Sequence, residues 1–359
     1  MPKTGILTFH NALSYGAALQ AYALQQFLLE NGIENEIIDY RCDYIETHYK
    51  RLMKIVKGSE LKSFVGSVLQ MSNKKAGLRL SEAFRKKYML TGRSVDRQSV
   101  KSLRDEYNTF VCGSDQVWSP DCAGFDKTYF LDFARPEQKV SYAASLGCNK
   151  LPDDKIADYK RLLADFKVCS LREKSGAEIV KALGKEVRTD IDPTLLLKAE
   201  QWDKIAEKPM YDHPYIFLFN VLKPKQMIQY AVNLGKEKGL PVYYLNNKHL
   251  PIKGLKYAKP VGADGFVSLI KNAEYVVTNS FHGAAFSVIY HKKLIVEHET
   301  ERNRNIRSEE LLNMLGLKNR EIGSGLITLP DGEIDWNYVD DVLSEHRSKS
   351  KEYLTSALQ

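Results

Sequence analysis

Short apolar runs alternate with stretches of helical period along most of the chain, and polar turns separate them. Residues 4–9, TGILTF, predict a first strand, followed by the loop HNALSYG. A helix is expected from Ala17 to Glu30, with Ala17, Ala21, Leu24 and Leu28 on one face and Gly32 as its cap. Asn35–Tyr40 reads as the second strand. Further strands are expected at the start of 108–121, over Lys139–Ser145, Phe166–Leu171 and Val187–Asp192, with a helix over 175–183 stopped by Gly184. The rhythm then repeats: strand 215–221, helix 224–238 capped by Gly239, strand 241–246, strand Tyr275–Asn279, a polar turn Ser280–Gly283, helix Ala284–His291 and strand Lys293–Glu297. Residues 338–358 predict a charged terminal helix.

This alternation predicts an α/β protein with parallel sheets. Two consecutive Rossmann-like domains facing a cleft are the simplest arrangement: 1–198, then 199–337, then the helix 338–359. The opening βαβ lacks G-x-G-x-x-G, so a dinucleotide is not expected.

Composition changes little. At 43% apolar and 27% charged the chain is an ordinary globular one. No apolar run reaches the roughly 18 residues of a membrane helix, and MPKTGILTFHN lacks the layout of a signal peptide, so a cytosolic protein is expected. Five cysteines without Cys-x-x-Cys spacing indicate neither a disulfide framework nor zinc, and His and carboxylates do not cluster at ligand spacing. The net charge of +7 is local: residues 50–104 hold fifteen Lys and Arg against three acidic residues. Within them Leu61, Phe64, Val65, Val68 and Leu69 form one helical stripe, which suits either core packing or an anionic membrane surface. No nucleic-acid motif accompanies the basic run.

Candidate chemistry lies where strands end, because ligands of open α/β sheets bind at the carboxyl edge. Asn11, Ser14, Tyr15 and Gly16 follow the first strand. Gly113, Ser114, Asp115 and Gln116 follow another, where Asp115 is either a turn cap or a base for a hydroxyl nucleophile. Ser145 ends a third, and Arg172 a fourth. Arg172 is placed either to meet a phosphate or carboxylate bidentately or to pair with Glu173 or Asp192. His282 sits between a strand and the amino end of a helix, a place that suits a phosphate, beside Gly283, which would allow close backbone approach. It is either a ligand-side histidine or a satisfied loop residue.

In order and spacing, GILTFHNALSYGAALQAYALQ, FVCGSDQVW, SLREKSG, DIDPTLLL, TNSFHGAAFSVIYHKKLIVE and RNIRSEELLNMLGL resemble the polysaccharide pyruvyl transferase family. The resemblance implies a GT-B-like pair of domains and transfer of pyruvate from phosphoenolpyruvate to two hydroxyls of a sugar, with release of phosphate. The acceptor implied is a sugar of a bacterial capsule or exopolysaccharide, free or carried on a polyprenyl diphosphate at the inner membrane face. No cofactor beyond the co-substrate is implied. By the same resemblance His282 is the catalytic acid, and Asp115, from its strand-end position, is expected as the base. Arg172, Asn279, Ser280 and Gly283 hold phosphoenolpyruvate, and Asn11, Tyr15, Ser114, Gln116 and Ser145 face the acceptor. Many members have arginine where this chain has Ser280, so Arg304 or Arg307 is expected to supply the missing charge. Two rival functions share the scaffold: a glycosyltransferase using a nucleotide sugar, and a glycan-binding protein without catalysis.

Overall fold

The computed structural model describes residues 3–52, 61–224, 226–246, 252–298, 306–322 and 333–358, with only the backbone described at 48–52 and 61–74. The chain divides into two compact units: Met1–Lys50, Lys86–Leu197 and Leu343–Gln359 make the first, and Arg51–Arg85 with Lys198–Val342 the second. Residues 51–85, counted above with the first domain, thus group with the second, and most of the terminal helix groups with the first.

The first unit contains β1 (Thr4–Leu7), α1 (Tyr15–Glu30), β2 (Asn35–Tyr40) and α2 (Asp43–Leu52). Helix α3 (Leu61–Tyr88) includes the 61–69 stripe, whose side chains lie outside those described. The chain re-enters the first unit with β3 (Thr91–Val95), β4 (Thr109–Cys112), β5 (Lys139–Ser141), α4 (Ile156–Leu163), β6 (Cys169–Leu171), α5 (Lys174–Ala182) and β7 (Val187–Thr189). Five strands form a parallel sheet in the order β3-β2-β1-β4-β5, and β6-β7 continue it through single bridges of Ala144 to Asp115 and Leu171. Strand β5 stops short of the expected Ser145 because Ala143 turns into a left-handed conformation, φ 46°.

Helix α1 begins where the Ser14 hydroxyl accepts from Ala17 N at 3.4 Å. It is buried almost all round rather than on one face. Its two buried glutamines are satisfied by backbone and side chain: Gln25 exchanges two 2.8 Å hydrogen bonds with Leu90, fixing the chain as it enters β3. Below the sheet's carboxyl edge, Trp118 stacks on Phe130, with ring centroids 5.7 Å apart, and donates to Tyr129 O at 3.1 Å.

The second unit holds α6 (Ala199–Asp203), β8 (Ile216–Phe219), α7 (Met227–Lys238), β9 (Val242–Leu245), β10 (Lys256–Tyr257), α8 (Ala263–Lys271), β11 (Tyr275–Thr278), α9 (Phe281–Ile289), β12 (Lys293–Glu297), α10 (Ile306–Met314) and β13 (Glu321–Ile322). Its sheet is parallel throughout, in the order β10-β9-β8-β11-β12-β13. Gly239 caps α7 in the left-handed conformation, φ 66°, as expected. Helix α9 starts three residues earlier than the sequence suggested. Ser280 is its N-cap and accepts from Gly283 N at 3.3 Å, which recruits Phe281, His282 and Gly283 into the first turn.

The last helix, α11 (Trp336–Leu358), is tied to the first unit by polar contacts. Ser350 donates to Asp190 Oδ1 at 3.0 Å, Arg347 to Leu195 O at 2.7 Å and Tyr353 to Ser141 O at 3.0 Å. Asp190 is buried and also accepts from Ser170 at 2.6 Å and from Arg188 at 2.7 and 2.8 Å. Asp190→Ala is therefore expected to destabilise the protein by about 3 kcal/mol, the low end for breaking a buried charged pair, since Arg188 keeps some solvent. Chemical denaturation and limited proteolysis near residues 343–358 read this out; unchanged stability would show the contacts idle.

Candidate active site

Both sheets reverse their strand order once, and ligand crevices form outside the carboxyl ends at that point. In the first unit the reversal lies between β1 and β4, in the second between β8 and β11.

Hydrogen bonds close the first switch point from below. Thr8 Oγ1 donates to Ser114 O at 2.9 Å, while Gln20 donates to Thr8 Oγ1 at 2.8 Å and accepts from Ser114 N at 3.1 Å. Segments distant in sequence thus converge here. Ser114 Oγ donates to Ala143 O at 2.7 Å, and Ser145 Oγ donates to Glu173 Oε1 at 2.8 Å. Both hydroxyls are completely buried, so these two candidates brace the edge from inside. Asp115 stands above them in a left-handed conformation, φ 72°, its side chain 13% exposed. Such backbone strain in a non-glycine residue persists only where the surroundings enforce it. Gln116 is half-buried and lies against Gly147, whose φ of 63° and missing side chain make room for the amide.

Arg172 is buried and turned inward. Its Nη1 lies 2.6 Å from Asp192 Oδ2, its Nη2 3.6 Å from Asp115 Oδ1 and its Nε 4.0 Å from Glu173 Oε2. Burial works to lower its pKa, but the carboxylates of Asp192, Asp115 and Glu173 outweigh it and hold the guanidinium above its usual value. One cation therefore serves three carboxylates, the internal pairing that the sequence left open. Asp192 also accepts from Thr194 N at 3.0 Å, and Glu173 Oε1 from Leu146 N at 2.9 Å. Gln20 was not among the candidates, and Glu173 and Asp192 entered only as possible partners of Arg172. A glutamine in an apolar helix was the available signal for Gln20.

On the neighbouring strand ends, Asn11 donates to Glu46 Oε1 at 2.9 Å. Tyr15, the first residue of α1, has its phenol pushed up to about 12 by burial, so it stays protonated at neutral pH.

At the second switch point Asn279 does the bracing. Its Oδ1 accepts from Val221 N at 2.8 Å and Leu222 N at 3.2 Å, and its Nδ2 donates to Leu222 O at 3.0 Å. Thr278 Oγ1 donates to Phe219 O at 2.7 Å and accepts from Ser280 N at 3.0 Å. Packing requires glycine at 283: a Cβ there would stand 2.6 Å from Thr278 Oγ1. His282 is the second residue of α9, 8% exposed, with the Phe281 ring 5.0 Å away edge to face. The Arg307 guanidinium lies 6.0 Å from the Phe281 ring centroid, which brings a cation to the start of α9. Arg304 lies outside the described residues. The first turn of α9 has no acidic residue, whereas the buried Glu297 closes the amino end of α7 by accepting from Met227 N at 2.9 Å.

The family model for polysaccharide pyruvyl transferase matches residues 15–296, well over half of the chain. The chain belongs to the polysaccharide pyruvyl transferase family. It is a transferase acting on polysaccharide. The match includes Asp115, Arg172 and His282 and ends before Arg307. No curated protein sequence matches the chain. Among solved structures, one described as a UDP-N-acetylglucosamine 2-epimerase from Listeria monocytogenes is similar at a TM-score of 0.51 and 10% identity, covering 98% of this chain and 90% of that one. The UDP-N-acetylglucosamine 2-epimerase of Rickettsia bellii gives a TM-score of 0.48 at 12% identity, covering 98% and 95%. Spinosyn forosaminyltransferase SpnP gives 0.38 at 11%, covering 99% and 95%. The first of these supports the two Rossmann-like domains of a GT-B-like fold.

The Gly283 packing makes a direct prediction. Gly283→Ala is expected to lower stability by about 1–3 kcal/mol through overpacking against Thr278. A thermal melt measures it, and an unchanged melting temperature would contradict the packing account.

Proposed function

We propose that this family member transfers pyruvate from phosphoenolpyruvate to two hydroxyls of a sugar, forming a cyclic ketal and releasing phosphate. The observation that carries the reading is His282, in the first turn of α9 at the β8–β11 switch point. The donor carries a phosphate and a carboxylate. The positive end of α9 and the guanidinium of Arg307 suit those charges.

Histidine is the side chain that donates protons readily near neutral pH. His282 gives a proton to C3 of the enol, and C2 becomes electrophilic. A sugar hydroxyl attacks C2 and gives up its proton. The C2–O bond to phosphate then breaks with its electron pair going to phosphate, which takes up the second proton. The second hydroxyl closes the ring. One hydroxyl proton thus balances the proton added at C3, and the other leaves with phosphate. Asn11, Tyr15 and Gln116 lie at the edge of the first unit, where the surplus of carboxylates suits a neutral polyol better than an anion.

Phosphate release from phosphoenolpyruvate in the presence of lipid-linked oligosaccharides tests the assignment. His282→Ala is expected to lose at least a hundredfold in rate, the usual contribution of general acid catalysis. Arg307→Ala is expected to raise the KM for phosphoenolpyruvate about tenfold, as loss of a charge-assisted contact does. Wild-type rates in the histidine variant would refute the reading, and an unchanged KM would remove Arg307 from it.

A further inference from the structure

At the carboxyl edge of the first unit one exposed aromatic side chain has a bed made for it. Tyr44 is in the first turn of α2, directly after β2, and is 53% exposed. A lone exposed tyrosine is unremarkable. The loop beneath it is not. Ala123, Gly124 and Phe125 adopt φ of 55°, 62° and 56° in succession. The left-handed conformation costs roughly 1–2 kcal/mol for each residue with a side chain. The result is a close contact: a Cβ on Gly124 would stand 2.7 Å from Tyr44 Cδ2 and 3.1 Å from its Cγ. Cys42 Sγ, 3.8 Å from Ala123 O, holds the same loop to the start of α2.

Polar groups flank the ring's segment. Glu46 Oε1 accepts from Asn11 Nδ2 at 2.9 Å and lies 3.7 Å from Arg41 Nη1. The Glu46 and Arg41 side chains are 33% and 42% exposed, so each retains capacity for a ligand. With Tyr40 and Tyr129, Asn11 and Glu46 also line a shallow concavity.

We propose that Tyr44 is the platform on which the acceptor sugar ring lies, with Glu46, Asn11 and Arg41 reaching its hydroxyls. A pyranose presents an apolar face of C–H groups and a rim of hydroxyls. An aromatic ring covers the first, while carboxylate, amide and guanidinium groups bond the second. The inference rests on the reading of the protein as one that takes a sugar acceptor.

The test uses the full chain as wild type, Tyr44→Ala and Tyr44→Phe. Each is applied to an array of bacterial surface oligosaccharides and titrated calorimetrically with phosphoenolpyruvate. Wild type and Tyr44→Phe are expected to bind the same glycans, and Tyr44→Ala at least tenfold more weakly with an unchanged melting temperature. Phosphoenolpyruvate should bind all three alike. Equal glycan binding by Tyr44→Ala overturns the proposal, and so does a wild type that binds no glycan on the array. Failure of the donor reading is separate: phosphoenolpyruvate would bind none of the three while the difference between glycans persisted.

Discussion

Where a parallel sheet reverses its strand order, the two strands at the reversal send their connections to opposite sides, and the carboxyl edge between them opens. In this protein hydrogen bonds from below bridge each opening. Thr8, Gln20 and Ser114 do so between β1 and β4. Asn279 and Thr278 do so between β8 and β11. These contacts are polar and largely shielded from water, so they set position. Candidate site residues are mounted on them. Asp115 follows Ser114 directly, and His282 follows the cap residue Ser280 by two positions. A shift in either brace would displace the group above it.

The two edges differ in charge for a physical reason. In the first unit a single buried guanidinium, Arg172, is drawn inward by Asp192 and shares its field with Asp115 and Glu173. Leaving those carboxylates without it would strand buried charge, which is why the arginine is held so closely. Its fork therefore organises the edge and does not face outward to an anion. In the second unit no carboxylate stands in the first turn of α9, and Arg307 lies near its start.

The long periodic elements were legible in the chain. Helix α7 with Gly239, and strands β11 and β12, follow their apolar pattern closely. Strand β3, TGRSV, was not legible: it has little apolar alternation and is held by pairing with β2, a tertiary effect that local pattern does not carry. The onset of α9 was misplaced because Phe281-His282-Gly283 reads as a turn until the Ser280 cap is seen. The candidate site was legible only in outline. Strand-end position put Asp115 and His282 among the candidates. It could not separate a hydroxyl facing a ligand from one facing a neighbouring carbonyl or carboxylate, and Ser114 and Ser145 proved to be the latter. Nor could it show that packing against Thr278 by itself requires Gly283.

The account's central claim concerns what reaches the acceptor. The most direct measurement is mass spectrometry of bacterial lipid-linked oligosaccharides incubated with the wild-type protein, phosphoenolpyruvate and nucleotide sugars together. The account predicts a glycan heavier by one ketal-linked pyruvate, with one phosphate released for each. A glycan heavier by one sugar residue, with phosphoenolpyruvate left intact, would contradict it.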